Sequence, residues 1–181
     1  MADVKQLIND FYRVAVNRDF ARDINFRILS IETGGTTSVT FDEDDLVYAR
    51  SATLPARAIT NIAVPYMGLK FNIPGTATYP SSDQYSLKFF CDAKSKNRQK
   101  FEQSTRDIFD DANSTGNYFT PRATSTIDMV QLDNQNNKIS QYQLVGVSCV
   151  TCSPLSYSMS DGTGATIDFE ATLSYHFWNR K

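Results

Sequence analysis

From Ile167 to Phe177 the chain alternates without interruption. Ile167, Phe169, Ala171, Leu173, Tyr175 and Phe177 are separated by Asp168, Glu170, Thr172, Ser174 and His176. A β-strand sends successive side chains to opposite faces, so this pattern puts six residues on one apolar face and a polar set on the other. A helix of the same sequence would scatter both sets around its axis. An eleven-residue run of this kind suits a long strand of a barrel or sandwich, and a fold built on it needs further strands to cover the apolar face.

The rest of the chain supplies them. Ile24 to Ile31 reads as a strand with Ile24, Phe26 and Ile28 on one face, followed by a hairpin signal at Gly34-Gly35 and a return strand from Thr36 to Phe41. Ile62 and Val64 precede Pro65, and Leu69, Phe71 and Ile73 then alternate with Lys70 and Asn72 until Pro74-Gly75, which is expected to end that strand. Tyr85, Leu87 and Phe89 mark another strand, Ile127, Met129 and Leu132 the next, and Ile139 to Val150 a long one. Two helices are expected. Val4, Leu7, Ile8, Phe11 and Ala15 form a stripe within residues 1–18, and Phe101, Ile108, Phe109 and Ala112 form another, with Thr105 on the same face and Asp92 or Ser95 as cap. Lys94, Lys96, Arg98, Lys100 and Arg106 fall mostly on that helix's other side, the pattern of a solvated or partner-facing surface. The segment 42–58 has no clean period. It opens with Asp42, Glu43, Asp44 and Asp45, passes Leu46-Val47-Tyr48 and reaches Leu54-Pro55; a connection that long is usually functional. The expected class is therefore mainly β with some α, an antiparallel sandwich or barrel with a flanking helix, in one domain spanning 1–181.

Chemistry is sparse. His176 is the one histidine, so multi-histidine metal sites are excluded, and no triad partner is set beside it by sequence. Cys149 and Cys152 have Cys-x-x-Cys spacing but lie in and just after a strand, with only Cys91 and His176 left as further ligands. Reduced, buried thiols are the expected state. The acidic run lacks the glycine and terminal glutamate of a calcium loop. No phosphate loop, nucleophile elbow or zinc-protease motif is present, so no enzyme and no cofactor is expected. The 18 basic and 20 acidic residues nearly cancel, which argues against a standing nucleic-acid partner. No run approaches the ~20 apolar residues of a membrane helix, and Met1 to Lys5 has no signal-peptide character, so membrane insertion and export are not expected.

The order of several segments resembles a known family. Asp19-Phe20-Ala21-Arg22 leads into the first strand; Ala52-Thr53-Leu54-Pro55 falls in the long connection; Ile62-Ala63-Val64-Pro65-Tyr66 and Phe71-Asn72-Ile73-Pro74-Gly75 follow. Phe90-Cys91-Asp92 precedes a helix carrying Arg98-Gln99-Lys100-Phe101, and the chain closes on Phe169-Glu170-Ala171-Thr172-Leu173-Ser174-Tyr175 with Phe177-Trp178. This arrangement, spanning roughly Asp19 to Trp178, is similar to the tail tube protein of contractile-tailed bacteriophages.

The resemblance implies a structural subunit that forms six-membered rings, whose sheets join around a lumen and whose rings stack into the inner tail tube for DNA ejection. It implies as partners further copies of the chain, a tail sheath protein, baseplate and tail-terminator proteins, a tape measure protein in the lumen, and DNA in transit. It also implies a virion tail assembled in the host cytoplasm. The connection 42–58 would reach a neighbouring subunit or ring through Leu46, Tyr48, Leu54 and Pro55, with Ile8 and Phe11 of the N-terminal segment adding to the contact. A lumen wall that lets DNA slide would be acidic, since a basic one binds phosphates. Asp42, Glu43, Asp44, Asp45, Asp168 and Glu170 are candidates for that surface, and equally for ordinary solvent-facing positions. A tube subunit of a bacterial secretion or extracellular injection system, a tube-initiating baseplate component, and a monomeric β-barrel ligand-binding module remain as alternatives.

Overall fold

A computed structural model describes residues 8–18, 20–33, 39–116, 124–160 and 162–181. In chain order the elements are α1 (Ile8–Asn17), β1 (Phe26–Thr33), β2 (Val39–Thr40), α2 (Glu43–Leu46), β3 (Ala49–Ala52), β4 (Ala58–Tyr66), β5 (Leu69–Thr78), β6 (Tyr85–Phe90), α3 (Lys96–Ile108), β7 (Phe109–Asp110), β8 (Thr115–Gly116), β9 (Thr126–Leu132), β10 (Lys138–Val145), β11 (Ser148–Cys152), β12 (Asp168–Ser174) and β13 (Phe177–Arg180). The fold is mostly β, and every strand pairing is antiparallel.

Two sheets share the core. One has the order β13-β10-β9-β1-β2 and the other β11-β12-β6-β3. Ile28, Ile31, Ile127, Met129 and Leu144 of the first face Tyr85, Leu87, Phe89, Phe169, Ala171 and Leu173 of the second within one apolar cluster. Alternation dictates this: Leu87 stands opposite Ala171 and Phe89 opposite Phe169, so the inward residues of neighbouring strands fall on the same face.

Two runs expected as single long strands are each broken. The path 138–152 leaves the first sheet at Gly146-Val147 and enters the second; the path from Asp168 leaves the second at Tyr175-His176 and enters the first. Strands that bend and switch sheets form the corners of a closed sandwich. Gly146 makes the bend possible, with φ +71° and a missing Cβ that would lie 2.4 Å from His176 Nδ1. The N–H groups of Gly146 and Val147 both donate to Ser125 O, and His176 N–H donates to Val145 O. After the corner Phe177 is exposed, so the inward set ends at Tyr175.

The internal helix α3 packs against β11 and β2. Its Phe101 is fully buried, with ring centroids 4.5 Å from Phe41, 5.4 Å from Phe89 and 5.9 Å from Phe169. The helix stops at Ile108, earlier than its apolar spacing predicts: Phe109 enters the short β7–β8 ladder, and Ala112 lies in the turn between them. Ser95 occupies the expected N-cap position and its carbonyl accepts from Gln99 N–H, but its side chain makes no cap bond, and Asp92 accepts from Lys94 N–H. Buried Asn97 fixes this end instead, donating to Phe90 O at 2.7 Å.

The first strand is displaced from expectation. β1 runs Phe26–Thr33, and Ile24 lies outside it, exposed. The Gly34-Gly35 hairpin signal, the start of the return strand and the stripe residues Val4 and Leu7 lie outside the described residues.

Candidate subunit-interface surfaces

One element takes no part in the core. Among the described residues, β4 and β5 pair only with each other, and their large apolar residues are all exposed. Directly opposed residues share a face. Ile62↔Ile73, Val64↔Phe71 and Tyr66↔Leu69 therefore make one continuous apolar face, while Ala63↔Asn72, Pro65↔Lys70 and Asn61↔Pro74 make the other, more polar one. At ~3.3 Å per residue the hairpin is about 30 Å long. Met67 and Gly68 close its tip with φ 48° and 77°, the positive values a two-residue hairpin turn requires. β5 does not stop at Pro74-Gly75 but runs to Thr78. Pro74 is tolerated because the outer edge of β5 is unpaired. Gly75 sits across from the bulge between Ile59 and Asn61, where a Cβ would approach Thr60 O to 2.8 Å.

An isolated two-stranded hairpin is marginally stable in water, and a contiguous exposed apolar face marks an interaction surface. The signal for it was present in the sequence, since Leu69, Phe71 and Ile73 alternate. Alternation shows that a face is apolar without showing what covers it.

The segment 42–58 is more structured than a free connection. Its acids begin a one-turn helix: Asp45 Oδ2 accepts from Asp42 N–H at 3.1 Å. Lys100 Nζ of α3 lies 2.5 Å from Asp45 Oδ2 and 3.0 Å from Asp42 Oδ2. Partial burial disfavours the Lys100 charge, but the hydrogen bonds to Asp45 and Asp42 prevail and raise its pKa above the ordinary value. Two of the four acids thus clamp α2 to α3, while Glu43 and Asp44 are exposed. Leu46, expected at a contact between subunits, is 8% exposed in this chain's own core, because α2 turns it inward against β1. Tyr48 and Leu54 are exposed, Pro55 is half-buried, and β3 between them is zipped to β6. Ile8 and Phe11 on α1 are both exposed, with Phe11 stacked on Phe20.

Asp168 and Glu170 lie on the outward face of the second sheet. Asp168 pairs with Arg50, whose guanidinium sits 5.3 Å from the centroid of the Phe90 ring. Glu170 accepts from Ser86 Oγ and lies 3.7 Å from Lys88 Nζ. Each strand acid is therefore matched by a cation, Glu170 by Lys88 on the adjacent β6 and Asp168 by Arg50 on β3, two strands away.

Cys149 is buried, and desolvation pushes its pKa up to about 12; Cys152 is also raised, chiefly by burial. Cys91, Cys149 and Cys152 are all unpaired by disulfide. His176 is exposed at the corner beside Gly146. No helix among the described residues is long and apolar enough to cross a membrane.

No family model and no curated protein matches the chain. Solved structures do. A chain of the six-fold symmetrised baseplate of the anti-feeding prophage superposes with a TM-score of 0.59 at 9% identity, over 90% of this chain and 95% of that one. A chain of the anti-feeding prophage tube-terminating cap gives 0.56 at 11% identity, over 91% and 92%. A chain of the sheath-tube complex of an extracellular contractile injection system, in its extended state, gives 0.54 at 10% identity, over 94% and 96%. At these identities the likeness is one of fold, and it extends over almost the full length of each chain. This chain therefore has the tube-type β-fold that the tail-tube resemblance implied, shared with components of contractile injection assemblies.

Proposed function

We propose that this chain is a non-enzymatic structural subunit that assembles with copies of itself into the tube of a contractile tail or injection machine. The observation that carries this reading is the β4–β5 hairpin: six apolar side chains on one exposed face of an element that belongs to neither core sheet. Covering that face with a neighbouring subunit would remove the apolar surface from water and stabilise a hairpin that is marginal alone. The hairpin takes the reaching role that the sequence suggested for 42–58. In the finer form of the proposal, six copies close into a ring, rings stack into an inner tail tube that meets sheath, baseplate and terminator proteins, a tape measure protein occupies the lumen before firing, and DNA passes through on ejection. The tail would be part of a virion put together in the host cytoplasm.

A second reading has a specific observation behind it. The similar folds come from the anti-feeding prophage and from an extracellular contractile injection system, which favours an injection-machine tube over a phage tail. A monomeric ligand-binding module would leave the hairpin face in water, so it fits poorly. Negative-stain electron microscopy of the purified chain across a concentration series tests the assembly reading. Rings or hollow tubes are expected; monomers at every concentration would overturn it.

A further inference from the structure

The β4–β5 hairpin is rooted in the body of the fold by two arms that are held differently. On the return arm, Tyr79 follows β5 at once and is half-buried against the core; Ser82 N–H donates to Tyr79 O, and Ser82 O accepts from Tyr175 N–H. The entry arm is the irregular stretch Thr53 to Arg57 between β3 and β4. Two side chains hold its backbone. Tyr85 of β6, buried in the core, donates its hydroxyl to Thr53 O at 2.5 Å, and Trp178 of β13 donates Nε1–H to Ala56 O at 3.0 Å.

Trp178 makes the bond nearest the hairpin. With it, Arg57 alone separates an anchored carbonyl from β4; without it, the next anchored carbonyl among the described residues is that of Thr53, and Leu54 to Arg57 become a loose tether. The bond also joins the two sheets. The entry arm leaves the second sheet from β3, whereas Trp178 sits on the edge strand of the first, opposite Leu144. Its ring is half-buried and lies 5.6 Å from that of Tyr142, which fixes the direction of the N–H.

A small change at this root is magnified at the tip. The hairpin is about 30 Å long, so a swing of ~10° moves its end by ~5 Å, more than the ~4 Å over which apolar side chains touch. We propose that Trp178 is a positioning residue: its indole N–H, held to Ala56 O, sets the angle at which the hairpin leaves the body and so pre-orients the apolar face for its neighbour. Pre-orientation reduces the ordering cost of association without adding any contact between subunits. The consequence for assembly rests on the self-assembly reading; the control of the hairpin's angle does not.

The test exploits Trp178 being the one tryptophan in the chain. Full-length chain is made with the benzothiophene analogue of tryptophan at that position, which keeps a bicyclic ring on Tyr142 and puts sulfur in place of the N–H. Trp178→Phe is the second variant. Nitroxides on p-acetylphenylalanine in place of Lys70 on the hairpin and Gln103 on α3, both exposed, report the hairpin's angle in dilute samples through the distance distribution from pulsed electron paramagnetic resonance. The analogue should melt with the parent chain, widen the distribution about twofold and, in unlabelled samples, raise the concentration at which light scattering detects assembly by about tenfold. A distribution unchanged in both variants would overturn the proposal, even with a lowered melting temperature, since Trp178 would then be a packing residue only. A widened distribution with an unchanged assembly threshold would overturn the pre-orientation of the contact. A parent chain that forms no rings or tubes would remove the tube reading, while the distances in the dilute chain would still decide whether Trp178 sets the angle.

Discussion

Val64 and Phe71 stand directly opposite each other across the β4–β5 ladder, and both are exposed, at 40% and 48%. A cross-strand apolar pair contributes to a sheet mostly by excluding water with its neighbours. Here no other strand or helix among the described residues closes over the pair, so its main effect is expected in the assembly. Replacing both residues with Lys should leave the sandwich folded, with a stability change within about 0.5 kcal/mol, as is usual for exposed positions. The same change should prevent formation of rings and tubes. Circular dichroism and thermal melting check the first outcome, and electron microscopy the second.

Phe101 carries the contact between α3 and the second sheet through Phe89 and Phe169, and meets Phe41 just after β2. Phe101→Ala would leave a cavity where these rings meet and should cost about 3–5 kcal/mol. Denaturant unfolding measures this directly. A much smaller loss would mean that α3 is held mainly by its ion pairs and by Asn97.

The corner at Gly146 gives a prediction that separates two causes. Gly146→Ala combines an unfavourable positive φ with a clash against the His176 ring, and should destabilise the fold by about 1–3 kcal/mol. His176→Ala in the same chain should relieve the clash but not the backbone strain, restoring only part of the loss. Complete rescue in the double variant, read by chemical denaturation, would show that φ contributes little.

The buried Cys149 thiol gives a pH dependence of defined sign. Its folded pKa is raised, so the folded chain holds this proton at pH values where the unfolded chain has lost it. The associated stability is fully present below the ordinary thiol pKa of ~8.5 and is lost as pH rises toward about 12. Tyr85, raised by burial, contributes in the same direction at higher pH. Cys149→Ala should flatten the alkaline decline between about pH 9 and 11 relative to the parent chain, with no change of slope at pH 5–8. Denaturation midpoints across this range check it.

Much of the fold was legible because a period of two is written directly into the chain. β6, β12 and the paired arms of the hairpin follow from Tyr85-Leu87-Phe89, Phe169-Ala171-Leu173 and Leu69-Phe71-Ile73. The corners were not legible, because alternation carries straight through Tyr175 and Phe177 while the chain changes sheets between them. Only the tertiary contact of His176 with Gly146 distinguishes a bend from a continuous strand. The ion pairs of the acid run were not legible for a similar reason: nothing near Asp42 and Asp45 announces Lys100, which is far away in sequence. The apolar face of the β4–β5 hairpin was half legible. An apolar face reads the same whether the chain's own core or another molecule covers it, so the alternating run was visible and what covers it was not.

Hydrogen exchange of the full-length chain, compared between dilute and assembled samples, tests the central claim most directly. Amides of residues 58–78 belong to a hairpin with no cover of its own and should exchange quickly in the dilute sample. The account predicts strong protection of that segment on assembly, with β6 and β12 already protected in both samples. A hairpin that exchanges equally fast in both would contradict the assignment of its apolar face to a subunit contact.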